Sequence, residues 1–377
     1  MNRLRVRDGG DSPEGIPIRP SGPSKQTRIL LLTHYDLQQV LGDVARVEKL
    51  RSLLANRYRV SAFGLRGYGG QSLLSTLSLL PSWFSEITRK VLLGDWDWVV
   101  SSNQRYFVII SYLMRMVSRK KYRIIYDTLQ TWRFQQVSAP RFVLRWFVEA
   151  TAYMFADRVL ACSRQSHRIV SRFNENVIYT PTFVDMEVFR PQPRKRSEVR
   201  QKLAIMDDCK VIGIVGPLTL DAIAQLEVLC RTYRLAKNIH VLVIGKSGSR
   251  IENICPNLTY TGYVADYPGM LAALDCLLVI RGFVTDGALN KVVEAMSVGI
   301  PVVMDSDVAY STEYVTPGND ALVFKRDELV NMLTKLLADE RLVKRVGNGG
   351  REVVKRYYSQ DVVGNALFNM LDAAITR

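Results

Sequence analysis

With 377 residues, the chain is long enough for two domains of ordinary size, each burying its own core. Hydrophobic residues make up 47%, which excludes a disordered chain. No apolar run reaches the ~18–20 residues a membrane-spanning helix needs, and the run from Val108 is broken at Arg115. The formal net charge of +15 sits in the first half: residues 1–200 hold 32 Lys and Arg against 16 Asp and Glu, residues 201–377 hold 19 against 20. That half calls for an anionic lipid surface, a lipid-phosphate substrate or nucleic acid, unless it is simply a solvated basic surface.

Residues 1–26 are rich in Pro, Gly, Ser and Arg without periodicity and read as a flexible basic tail. Their charges are not followed by an apolar segment, which argues against a signal peptide. The five cysteines, Cys162, Cys209, Cys230, Cys255 and Cys276, form no pair motif, as expected of free thiols in a reducing compartment.

Order begins at Arg28–His34, an apolar run expected of a buried parallel strand. Gly42, a helix from Val44 to Ala55 and a strand at Tyr58–Phe63 complete a βαβ unit. Ser72–Phe84, followed by Arg89 and Lys90, suits either an interfacial amphipathic helix on a bilayer or a core-packing helix. A strand follows Asp97, then a helix at Tyr106–Val117 and a strand at Ile124–Asp127. His34 ends a strand and can face a cleft, whereas His167 reads as solvated and His240 precedes a core strand. Pro191–Ser197 reads as an interdomain linker.

The second half opens with a strand at Val211–Gly216 and continues with His240–Gly245, Lys246 and a strand near Asn257–Tyr263. A helix at Pro268–Leu274 leads to the central stretch, Arg281–Val303. There a buried strand ends at Ile280, a glycine-bearing loop follows, and a helix runs from Ala288 to Ser297. Gly299 stops that helix and Pro301-Val302-Val303 opens the next strand. Asp286 and Glu294 bracket the helix, and Lys291 can share a face with Glu294. The amides at the helix mouth are a natural seat for phosphate. Phosphate-binding amides, a lysine for charge and carboxylates for hydroxyls together describe a nucleotide-sugar site. Helices at Glu328–Ala338, Val343–Tyr357 and Ser359–Ala374 close the chain.

The stretch resembles the signature of the family 4 retaining glycosyltransferases, two acidic residues eight apart followed by Glu-Ala-Met-Ala-x-Gly-x-Pro-Val-Val. Asp286 stands where the first Glu is usual, and Glu294-Ala-Met-Ser-Val-Gly-Ile-Pro-Val-Val303 fits the remainder. Ala156-Asp-Arg-Val and Thr180-Pro-Thr-Phe-Val-Asp185 are similar to two further family segments, and the resemblance extends from about Val159 to Ala374.

It implies the GT-B fold, an α/β architecture of two facing Rossmann-like, doubly wound domains with the ligand cleft between them. The implied division is a tail at 1–26, an acceptor-binding domain at 27–192, a linker at 193–209, a donor-binding domain at 210–357 and a terminal helix at 358–377 returning to the first domain. The implied activity is transfer of a hexose from a nucleotide sugar to a glycan or lipid-linked acceptor, with retention and without a metal or other cofactor. The implied catalytic residues are Asp286, Glu294 and Lys291. Donor binding falls to Gly287, Ala288, Leu289, Tyr263, Val264, Gly216, Lys246 and Arg281, and the acceptor side to Gly42, His34 and Thr128. A cytoplasmic protein peripheral on the inner face of the cell membrane is expected, held there by its basic half.

Three departures matter. The family usually places Arg and Lys after Gly216 to neutralise the donor diphosphate, and Pro217 and Ala222 stand there; Lys291, Lys246 and Arg281 are the available substitutes. Thr128 or Gln130 stands near where relatives place a His. The first glycine loop keeps only Gly42. Hence the alternative of an inactive GT-B protein that binds a nucleotide sugar or acts as a scaffold. Asp95-Trp-Asp97 matches the metal-binding Asp-x-Asp of the other main glycosyltransferase fold but runs into a strand. No recognised motif supports nucleic-acid binding. A glycosidase carboxylate pair fits poorly with a phosphate-binding helix mouth.

Overall fold

The computed structural model describes residues 27–34, 42–64, 73–129, 131, 139–216, 218–233, 238–245, 256–325 and 327–375. Two parallel six-stranded sheets carry the chain. The first has the order β2-β1-β3-β4-β5-β6, from β1 (Arg28–Thr33), β2 (Arg59–Gly64), β3 (Trp98–Ser102), β4 (Arg123–Thr128), β5 (Arg158–Ala161) and β6 (Val177–Tyr179). The second has the order β12-β11-β10-β7-β8-β9, from β7 (Lys210–Val215), β8 (Ile239–Ile244), β9 (Leu258–Tyr260), β10 (Cys276–Val279), β11 (Val302–Asp305) and β12 (Leu322–Phe324). Both are doubly wound, as expected, and each reverses direction beside its first strand, between β1 and β3 and between β7 and β10. Ligands of such sheets bind outside the strand C-termini at that reversal.

Central strands are apolar on both faces because helices cover both. On one face of the first sheet lie α2 (Leu73–Leu93), α3 (Arg105–Ser118) and α4 (Ala139–Phe155), packing Trp83, Ile87, Phe107 and Tyr153 against Leu30, Val99 and Ile124. On the other lie α1 (Gly42–Ala55) and the last helix, α13 (Gln360–Ile375), with Val47, Leu50, Val363 and Leu367 against Ile29, Leu31 and Val100. The terminal helix therefore does return to the first sheet. A π turn at Val354–Tyr358 delivers it there, and Val184 bonds both ways, to Tyr358 O and from Gln360 N, each at 2.9 Å.

Two expectations change. The supposed linker folds into α6 (Pro193–Lys202), whose Arg196 and Arg200 grip Asp275 at 2.7 and 2.6 Å; Asp275 also accepts from Val211 N. A basic, Pro-led stretch looks solvated in sequence, but a half-buried carboxylate 75 residues beyond Arg200 holds it down. The helix near residues 72–84 runs on to Leu93, and its Trp83 is 1% exposed, edge-on to Phe107. From Trp83 onward, α2 is a core helix. The short α5 (Arg164–Val170), α8 (Tyr267–Ala272) and α10 (Ser306–Ser311), with α7 (Leu220–Tyr233), α9 (Asn290–Val298), α11 (Leu329–Ala338) and α12 (Glu340–Val353), complete the layers. Cys162, Cys209, Cys230 and Cys276 are free and buried; Cys255 lies outside the described residues.

Candidate active site

The reversal of the second sheet brings three predicted residues together. Lys291, in the first turn of α9, donates from Nζ to Val215 O at 2.7 Å, at the exit of β7 and next to Gly216. Burial pushes its amine down to about 8, and the Arg281 guanidinium adds to the shift while Asp305 opposes it. Arg281 leaves β10 with its guanidinium 4.5 Å from the Phe283 ring. Asp305 fixes this corner by accepting from the amides of Arg281 (2.6 Å) and Gly282 (3.1 Å) and by capping α10 at Val308 N. Two cations thus meet beside the mouth of α9. Ala222 is buried inside α7, whose first-turn Asp221 lies against Gly282, and Pro217 and Lys246 lie outside the described residues.

One turn along α9, Glu294 is 6% exposed and accepts from Lys49 Nζ of α1 at 2.7 Å. The same ammonium reaches Asn290 Oδ1 at 3.3 Å, and Thr182 Oγ1 bonds that oxygen as well. Beside Glu294 lies Tyr267, whose buried hydroxyl has no hydrogen-bond partner among the described residues. Burial raises its pKa well above the usual value, and the Glu294 charge raises it further. A buried, unsatisfied hydroxyl next to a carboxylate is costly unless a ligand completes it. Neither Lys49 nor Tyr267 was singled out from sequence.

Asp286 departs from expectation. Its carboxylate accepts from Thr131 N (2.8 Å), Ser163 Oγ (2.5 Å) and Ser166 Oγ (2.5 Å), all on the first-sheet side. A carboxylate has about four lone-pair sites, so little capacity remains for a sugar hydroxyl while these bonds stand. Asp286 is a strut between the two halves. Gly287 explains how the loop comes so close: its φ is +85°, and a Cβ there would sit 2.8 Å from Cys162 O. The Cys162 thiol, raised well above its usual pKa by burial, donates to Leu129 O and Asp286 O. Ala288 and Leu289 complete the loop, with Leu289 preceding α9 and no side chain capping its first amides.

The opposite wall is built at the ends of β1, β3 and β4. Asp127, fully buried, accepts from Arg46 at 2.8 Å and from Ser102 Oγ at 2.8 Å; Arg46 also donates to Thr180 O and Pro181 O. This buried ion pair, missed from sequence, ties α1 to the β6 exit. His34 is buried at the end of β1, and burial followed by the Arg105 charge lowers it to about 4, so it is neutral near pH 7. Thr128 is buried at the end of β4, and Gly42 starts α1. Gln130 lies outside the described residues.

Tyr263 follows β9 and is 66% exposed, while Val264 packs on the core. Asp95 and Asp97 meet Arg28 at the opposite ends of the strands: Arg28 N donates to Asp97 at 2.8 Å and its guanidinium reaches Asp95 at 3.4 Å. Among the described residues, no helix is long and apolar enough to cross a membrane.

With this geometry in place, the comparisons are specific. Residues 209–339 match the family model described as glycosyl transferases group 1. Over that span the chain is similar to group 1 glycosyl transferases, and its two parallel sheets have the GT-B fold of the solved glycosyltransferases. The matched span contains β7 to β12, Lys291, Arg281, Glu294 and Asp286, whereas Lys49, Arg46 and Asp127 lie outside it. The capsular polysaccharide biosynthesis glycosyltransferase CapM of Staphylococcus aureus is 22% identical over 298 residues, covering 72% of this chain and 76% of CapM. Anabaena HepE, solved with UDP-glucose, superposes with a TM-score of 0.64 at 17% identity, over 92% of this chain and 100% of that one. Sucrose-phosphate synthase of Thermosynechococcus elongatus gives 0.73 at 17% identity, over 93% and 100%. At these identities the solved structures speak for the fold alone.

Proposed function

We propose that the protein is a retaining hexosyltransferase that takes a sugar from a nucleotide-sugar donor and transfers it to a glycan or lipid-linked acceptor without a divalent metal. The observation that carries this reading is the meeting of Lys291 and Arg281 at the reversal of the second sheet, beside the uncapped mouth of α9 and one turn from Glu294. Lys291 and the amides of Gly287, Ala288 and Leu289 hold the diphosphate, with Arg281 beside them. This pair stands in for the cations that Pro217 and Ala222 replace. Positioned donors of this kind contribute ~10²–10³ in rate each. Glu294 takes the ribose hydroxyls and Tyr263 with Val264 the base. Asp286 reaches the sugar only when its bonds to Thr131, Ser163 and Ser166 open. The leaving phosphate accepts the proton of the incoming hydroxyl on the face it has just left, which gives retention.

HepE binds UDP-glucose and CapM belongs to capsule biosynthesis by their names, and both support a nucleotide sugar and a glycan acceptor here. The cationic first half holds the protein peripherally on an anionic, cytoplasmic membrane face. The test is product analysis: full-length protein with each nucleotide hexose and a lipid extract as acceptor, the new linkage read by NMR. A product with the donor's anomeric configuration, formed in chelator, supports the reading; an inverted or metal-dependent product overturns it. Ala222, buried where a charge is usual, favours a second reading in which a sugar nucleotide is held and not turned over.

A further inference from the structure

α3 and α4 lie side by side over the same sheet face, joined by Tyr112 stacked on Phe155 at 4.1 Å. Their inner residues, Phe107, Val108, Met114, Ala152 and Tyr153, fill the core. Their outer residues ought to be polar, and they are not. On α3, Leu113, Met116 and Val117 are 43%, 63% and 80% exposed; on α4, Val143, Phe147 and Met154 are 63%, 63% and 56% exposed. Scattered exposed apolar residues are ordinary, but this many on two adjacent helices of one layer mark an interaction surface.

The charge on this face is one-sided. α3 contains no acidic residue, and the one in α4, Glu149, is 0% exposed and bonded to Arg105 and Tyr153. The helices instead carry Arg115 and Arg145, with Arg119, Lys120 and Lys121 directly after α3. Asp157, just beyond α4, is held by Arg115 at 2.5 Å. An apolar face on two helices that themselves expose no carboxylate, flanked by cations, is complementary to acyl chains beneath anionic headgroups; the nearby Glu175 and Asp157 lie at its edge, beside Met154. The exposed apolar residues lie on the last turns of α3 and are spread along α4 from Val143 to Met154 rather than converging on one recess, which suits a flat bilayer better than a protein knob.

We propose that the α3–α4 face docks on an anionic phospholipid surface. This rests on and sharpens the membrane part of the reading above, and it is independent of the transfer chemistry. The orientation has a consequence for the acceptor. α4 follows β4, and Thr131 between them bonds Asp286, so Val143 and Phe147 lie in the part of α4 nearer the cleft. A protein docked on this face holds its cleft beside the headgroups, where a lipid-linked acceptor resides.

The test is co-sedimentation of the full chain with vesicles of phosphatidylcholine alone or mixed with phosphatidylglycerol. Binding to the mixed vesicles and not the neutral ones is expected. Val143→Ser with Phe147→Ser should weaken it ~10-fold or more, as expected from the apolar area removed, with an unchanged melting temperature because both side chains are exposed. Arg119→Glu with Lys121→Glu should also weaken it. Transfer to a water-soluble acceptor should be unaffected by either pair, so failure of vesicle binding and failure of the transfer reading remain separable. No binding to mixed vesicles, or binding that the Val143/Phe147 pair leaves intact, overturns the proposal. So does a wild-type dimer that this pair dissociates in the absence of lipid, which would make the face a contact between copies.

Discussion

Lys49 and Glu294, 245 residues apart in sequence, meet at 2.7 Å across the cleft, and the lysine occupies the carboxylate proposed to receive the donor ribose. Lys49 is about one-fifth exposed and Glu294 less than a tenth. The pair therefore bridges the two halves, and a donor ribose seated on Glu294 as proposed has to displace Lys49. Lys49→Met should leave Glu294 buried and without its lysine, costing ~1–3 kcal/mol when no donor is added. The same change should tighten donor binding, so that the melting temperature starts lower and rises further on adding donor. A smaller donor-induced rise than in the wild type would show that Lys49 helps to bind the donor instead.

Asp286 holds three donors from the other half of the molecule. An Asn there has one acceptor oxygen and two unwanted N–H groups. Asp286→Asn should lower stability by ~1–3 kcal/mol and give a larger radius of gyration by solution scattering. An unchanged radius would mean that the other contacts between the halves suffice.

Lys291 titrates at about 8, against 10.5 in an unfolded chain. Below about 8 it is charged in both states, and burying that charge costs stability. Between about 8 and 10.5 the unfolded state binds more protons, so stability rises with pH across this window. Donor binding needs the charge and should run the other way, weakening as pH rises through about 8. Lys291→Met should raise the melting temperature, as replacing a buried ion by an apolar side chain often does, while abolishing the pH dependence and most of the affinity.

Tyr267→Phe removes a hydroxyl that has no hydrogen-bond partner among the described residues. Melting should be unchanged or slightly higher, because an unsatisfied buried group disappears. Donor affinity should fall ~5- to 10-fold, the value of one hydrogen bond. Equal affinity would assign Tyr267 to packing.

The fold was legible because its strands are continuous apolar runs and its helices carry clear stops, such as Gly299 after α9. The cations of the site were legible too: Lys291 and Arg281 lie within one short segment. What sequence could not show was pairing at long range. Lys49, Arg46 and Asp127 belong to ordinary-looking segments, and only the packing of α1 against α9 and β4 makes them matter. Asp286 was read as facing a sugar because nothing local reveals that Ser163 and Ser166 arrive from 123 and 120 residues away. α6 was misread for the same reason, since the partner of its arginines is Asp275.

The central claim is that the second-sheet reversal is a nucleotide-sugar site, and titration calorimetry tests it most directly. UDP-, GDP- and ADP-hexoses would be titrated in chelator into the wild type, Glu294→Ala and Lys291→Met. One donor series binding in the micromolar range, and weakened ~10-fold or more by each substitution, is the predicted result. No heat from any donor, or a binding isotherm that both substitutions leave unchanged, would contradict it.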